Sequence, residues 1–282
     1  MLKTIIIVFL ALATIAIGGA GYYYFGIYQP REYGTKLLLL HQKLESSGLE
    51  PDASPLAGVA DYENALGVLD GRVKMLELIK KDLAAIKTPK RMENYRKEFE
   101  EYIDFLLPRH EHARDLAEFL MSANALHEAL EALEKSEEQT SPNQQVGDFQ
   151  KIFIERFSKI QTAGCDFVGK EIDVETDPSF AELKALWDGA SPGFDLVLQK
   201  LISLDPKLPI SRMNSAFTAS EQKQLNSYTP KVEELSKKLD DLVKKYTAYD
   251  ILAFKHFPDA TSIEASERAL RFYQIMRGLK GK

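Results

Sequence analysis

The pattern of apolar and polar positions changes character once along the chain. From Thr4 to Pro30 it is a continuous uncharged, apolar run bounded by Lys3 and Arg31, and from there on apolar residues recur every three or four positions among charged ones. A bilayer core of about 30 Å is crossed by roughly 20 apolar residues at helical rise. The run is long enough, with its most hydrophobic part from Ile5 to Ile17, and residues 1–30 are therefore predicted to form a single transmembrane helix. Its last part carries Tyr22, Tyr23, Tyr24, Phe25 and Tyr28, rings of the kind that settle at headgroup level. Bilayer contact is assigned to residues 4–28, with Tyr22, Tyr23, Tyr24 and Tyr28 at the interface.

A cleaved signal peptide is the alternative, with Lys3 as the charged end, Ile5 to Ile17 as the apolar core and Gly18, Gly19 and Ala20 as the small residues of a cleavage site. Cleavage would leave a secreted soluble helical protein. The apolar character outlasts a signal-peptide core, which favours a retained signal anchor. Lys3 on one side and Arg31, Lys36 and Lys43 on the other nearly balance under the positive-inside rule. The simpler insertion puts the N-terminus in the cytoplasm and the remainder outside it, in the cell envelope.

After residue 30 the spacing predicts an all-α protein, an extended antiparallel helical bundle with coiled-coil-like packing. Tyr62, Leu66, Leu69, Val73, Leu76, Ile79, Leu83 and Ile86 form one stripe, and Met92, Tyr95, Phe99, Tyr102, Ile103 and Leu106 a second. Leu116, Leu120, Leu126, Leu130 and Leu133 continue beyond Pro108, which is expected to kink or restart the helix. Phe149, Phe153, Phe157, Ile160 and Phe167 make an aromatic stripe, read as core, and Cys165 nearby is read as a buried thiol. The most regular seam is Leu225, Tyr228, Val232, Leu235, Leu239, Leu242, Tyr246, Tyr249 and Ala253, a heptad pattern flanked by Lys237, Lys238, Asp240, Asp241, Lys244 and Lys245. Burial within a bundle of the chain's own helices is one reading of this seam and self-association is the other.

Helix starts are marked by Ser, Thr or Asp before Pro, at Ser54, Thr88, Ser141, Asp177, Ser191 and Thr229. Ser141 with Gln144, Thr218 with Glu221, and Thr261 with Glu264 have capping-box spacing. Between Gly164 and Pro209 several Gly and Pro residues interrupt the pattern, so 164–209 is expected to be an irregular, hinge-like region, and Ile172 to Glu175 is briefly strand-like. The chain is accordingly divided into an anchor (1–30), a first bundle half (31–140) and a second half (141–282). The similar openings at Thr88 and Thr229 hint at a duplicated unit, or at no more than shared start chemistry.

Composition narrows the function classes. Hydrophobic residues at 45% and charged residues at 28% match globular usage, so the roughly 250 residues beyond the anchor can bury a sizeable core. A formal net charge of −6 gives no electrostatic case for nucleic acid, and a single cysteine excludes an internal disulfide. Arg268, Arg271, Arg277, Lys280 and Lys282 near the C-terminus either complement a helix end or meet an anionic group.

Chemistry-bearing residues gather only around His110, Glu111 and His112, with His127 further on. Residues two apart on a helix diverge by about 200°, so His110 and His112 make a poor pair of ligands unless the turn after Pro108 is irregular. No phosphate loop, nucleophile elbow or zinc-protease helix motif occurs, and no cofactor is implied. The sequence thus predicts a membrane-anchored binding or scaffolding module without inferred catalysis, with the helix from 229 to 257 as contact element and Leu235, Leu239, Leu242, Tyr246 and Tyr249 as partner-contact candidates. A ligand or metal held inside the bundle by His110, Glu111, His112 and His127 is the second hypothesis.

Overall fold

The computed structural model describes residues 19–46, 61–137, 145–170, 178–254 and 262–280. Residues 19–23 are helical and lead through a π-helical turn, Tyr24–Tyr28, into α1 (Gln29–Ser46). The following helices are α2 (Tyr62–Ala85), α3 (Glu93–Glu137), α4 (Val146–Gly169), α5 (Ser179–Ser203), α6 (Ala219–Lys245), the short α7 (Ala248–Leu252) and α8 (Ser262–Lys280), with 3-10 turns at Lys90–Met92 and Ile210–Ala216. Among the described residues there is no strand. An isolated antiparallel bridge joins Gln145 to Pro209. The all-α expectation holds, with helices packed on one another.

Among the described residues no helix is long and apolar enough to cross a membrane. The apolar core of the run singled out in the sequence, Thr4 to Gly18, lies outside the described residues. So do Ser54, Ser141, Asp177 and Thr261 of the predicted helix starts, and the strand-like Ile172 to Glu175.

The chain forms two compact units. One comprises Met1–Pro55, Val68–His112 and Asp259–Lys282, the other Leu56–Gly67 and Ala113–Pro258. Each of α2 and α3 contributes to both. In the first unit Tyr33, Leu37, Leu40 and Leu44 of α1 share a core with Leu76, Ile79 and Leu83 of α2, Phe99, Tyr102, Ile103 and Leu106 of α3, and Phe272, Met276 and Leu279 of α8. Tyr102 stacks on Phe272 with ring centroids 4.3 Å apart, and Phe99 meets the same ring edge-on at 5.1 Å. Aromatic pairs at these separations stabilise beyond the area they bury. Gly34 marks the tightest approach, since a Cβ there would lie 3.1 Å from Leu279 Cδ2 and 3.8 Å from the terminal methyl of Met92.

In the second unit α5 packs against both α4 and α6. Phe180 of α5 links three elements, 4.7 Å from the ring of Phe119 on α3 and 5.9 Å from that of Tyr246. Phe157, Ile160 and Phe167 of the aromatic stripe are buried, as expected.

Two proline expectations, helix starts at Pro192 and Pro230, are corrected. Pro192 and Pro230 lie inside α5 and α6 and start neither, and Pro108 lies inside α3, which does not restart there. All three are on exposed faces, where water can satisfy the carbonyl deprived of its donor while the opposite face goes on packing. The irregular pieces expected between 164 and 209 are, over Ser179–Ser203, one helix. Its Gly193 serves close packing, because a Cβ there would fall 2.8 Å from the Cβ of Tyr228 on α6.

Candidate functional site

The first unit carries the features closest to the predicted membrane segment. Tyr22, Tyr23, Tyr24, Phe25, Ile27 and Tyr28 are all exposed, Tyr22 and Phe25 by almost two thirds. A row of large apolar side chains left uncovered on a helix is costly in water unless something else covers it. Tyr24 and Tyr28, four residues apart and so on one side of the helix, stack with centroids 5.8 Å apart across the π-helical turn.

Directly after this row, residues of α1 and the connection from α2 to α3 enclose a cleft of about 350 Å³ lined by Gln29, Glu32, Tyr33, Lys36, Lys87 and Thr88, among others. Its polar wall is ordered. Arg96 donates from Nη1 to Thr88 Oγ1 at 3.0 Å and from Nε to Glu100 at 2.7 Å, and Thr88 donates to the phenol oxygen of Tyr33 at 3.3 Å. Burial raises the Tyr33 phenol above its ordinary pKa, keeping it neutral. Lys36 pairs with Glu32 at 2.8 Å, while Arg31, Lys87, Lys90, Arg91 and Arg277 are exposed cations with no carboxylate partner among the described residues. Arg91 reaches back to the row, its Nη1 3.8 Å from where a Cβ on Gly26 would lie. Sequence reading missed the grouping of residues 31 and 87–91, because these stretches come together only through the packing of α1 with the 3-10 turn.

The histidine candidates do not converge. His110 is 2% exposed, with Nδ1 2.9 Å from the carbonyl oxygen of Leu106 one turn back. Burial is the main reason its pKa falls to about 4, with the cations of Arg72 and Arg109 adding to the shift and the Leu106 carbonyl opposing it. Glu111 and His112 follow it on an unbroken helix, half-buried, in directions set by the helical twist. His127 belongs to the other unit, where its Nε2 lies 3.7 Å from Glu131 and 3.9 Å from Asp240. Among the described residues no group of three His, Cys, Asp or Glu side chains could hold a metal ion.

Of the partner-contact candidates, Leu235, Leu239, Leu242 and Tyr246 are buried in the second unit, and Tyr249 is exposed. Leu235, Leu239, Leu242 and Tyr246 are thus covered by the chain's own helices, α5 foremost. Cys165, expected to be buried, is exposed and borders a cleft with Met121, Ser122 and Lys170. It is one residue past Gly164 and points off the stripe that Phe167 and Ile160 bury.

Compared with models of protein families, with curated proteins and with solved structures, the chain matches none.

Proposed function

We propose that this chain is a single-pass, membrane-anchored helical protein of the cell envelope that works as a binding or scaffolding module. The apolar run from Thr4 is the anchor, the N-terminus is cytoplasmic, and the helices beyond Pro30 are extracytoplasmic. The observation that carries the reading is the row from Tyr22 to Tyr28. It follows the apolar run directly, it is exposed, and it continues as helix into α1. Tyrosines on such a helix suit an interface where one end of the ring is in hydrocarbon and the hydroxyl in water. The absence of a sequence signature for catalysis favours binding over turnover.

Fractionation tests the anchor. The intact chain should stay with the membrane pellet through alkaline carbonate washing and be released by detergent, and mass spectrometry of the N-terminus should find residues 1–20 retained. Release by carbonate, or an N-terminus cut after Ala20, would overturn the anchor. Protease added outside spheroplasts should digest the helical part if the orientation holds. The binding role expects protein partners to be recovered from detergent extracts. A chain that is monomeric by light scattering and recovered alone would speak against it.

A further inference from the structure

We infer that the end of the first unit next to the aromatic row is a docking surface for anionic phospholipid headgroups, centred on the cleft between α1 and the α2–α3 connection. This rests on the membrane reading above and adds to it which lipids the protein selects. The tyrosines and Phe25 fix a depth, since their rings belong at the headgroup level. Gln29 and Tyr33, one to two helical turns past the middle of that row, line the cleft, which is thus held where phosphate groups of the same leaflet lie.

Charge supplies the selection. Arg31, Lys87, Lys90 and Arg91 are exposed around this end, and Arg277 is exposed on α8, two residues from the Leu279 that packs against Gly34. The carboxylates of the same stretches are Glu32, engaged by Lys36, and Glu93 at the start of α3. Cations are therefore in excess here although the whole chain has a net charge of −6. That asymmetry has no account within the described fold, where no carboxylate pairs with these five. It fits an anionic surface, which attracts each nearby Lys or Arg strongly enough to change partitioning about fivefold. Within the cleft, the hydroxyl of Tyr33, whose own proton is not spent on Thr88, and the Lys87 ammonium offer donors suited to a phosphate oxygen.

The test reconstitutes the full chain in liposomes of mixed phosphatidylcholine and phosphatidylglycerol, recovers it in mild detergent, and quantifies the lipid that stays bound. Phosphatidylglycerol should be enriched several-fold over its share of the liposome, and added salt should reduce the enrichment. The variant with Lys87→Ala, Lys90→Ala and Arg91→Ala removes three exposed side chains. It should keep its helical circular dichroism and lose the enrichment, retaining the two lipids close to their shares in the liposome. Equal retention of the two lipids, or unchanged enrichment in the triple variant, would overturn the inference. So would binding of inorganic phosphate by the detergent-held chain without any enrichment of phosphatidylglycerol, because the site would then take free phosphate and not a lipid surface. A chain that fails to enter the liposomes sinks the anchor reading itself. One that inserts without headgroup preference sinks only this inference.

Discussion

Gly164 of α4 lies against Trp187 of α5, so closely that a Cβ at position 164 would overlap Cζ2 and Cη2 of the indole. Trp187 in turn stacks on Phe194 with centroids 5.7 Å apart, which fixes the ring and prevents it from yielding. One missing side chain thus sets the separation of two helices.

Gly164→Ala is therefore expected to destabilise the second unit. An alanine ordinarily stabilises a helix interior by about 0.5–1 kcal/mol over glycine, whereas overpacking a tight contact costs about 1–3 kcal/mol. The clash is with an aromatic ring and not a flexible chain end, so the second effect should win. Urea unfolding and near-ultraviolet circular dichroism of the single tryptophan would read it, and an alanine variant as stable as the parent would refute the contact.

His110 should make the first unit sensitive to acid. Its folded pKa of about 4 lies below the unfolded value of 6.5, so the fold favours the neutral ring. That stability is fully present above pH 6.5 and is lost as pH falls toward 4, by an amount on the order of 3 kcal/mol. Thermal unfolding of the parent should fall more steeply over this window than that of His110→Gln. Parallel pH profiles for the two would show that the buried ring does not carry the effect.

The Tyr62 hydroxyl donates to the carbonyl of Tyr246, tying the start of α2 to the C-terminal cap of α6. Burial pushes its pKa up to about 12 from 10. Because the folded value is the higher one, the associated stability is complete below pH 10 and fades as pH rises to 12. Tyr62→Phe removes the donor and leaves the carbonyl to the weaker remaining contacts, which should cost about 1 kcal/mol at neutral pH and abolish the alkaline loss. Denaturant titrations at pH 7 and pH 11 would separate these two effects.

The capping box at the start of α6 gives a fourth test. Thr218 Oγ1 accepts from the Glu221 amide at 3.2 Å, the Thr218 amide donates to Glu221 Oε2 at 2.6 Å, and Lys200 reaches the same carboxylate at 3.2 Å. Thr218→Ala should cost about 1 kcal/mol, and Thr218→Ser much less because it keeps the acceptor. If alanine and serine were equally tolerated by calorimetry, the cap would not be contributing.

Helical identity was legible in the residues alone, because it rests on spacing. The three-and-four recurrence of Leu235, Leu239 and Leu242 needs no neighbour to be recognised, and all three are buried as such a stripe demands. The Thr218–Glu221 box was legible for the same reason, as its chemistry lies within four consecutive residues. Proline was misread as punctuation at two places, because a sequence does not say whether Pro192 or Pro230 faces water, and that decides whether the helix tolerates it.

What the tertiary structure alone decided is which distant residues share a place. Gly193 and Gly164 look like breakers in one dimension and prove to be the points where Tyr228 and Trp187 press in. Arg31 and Arg91 are far apart along the chain and are brought toward one end of a unit by the packing of α1 with the 3-10 turn. Local pattern fixes a helix through its own backbone hydrogen bonds and the periodicity of its apolar face. The choice of partner for that face depends on shape and charge that only the assembled helices possess.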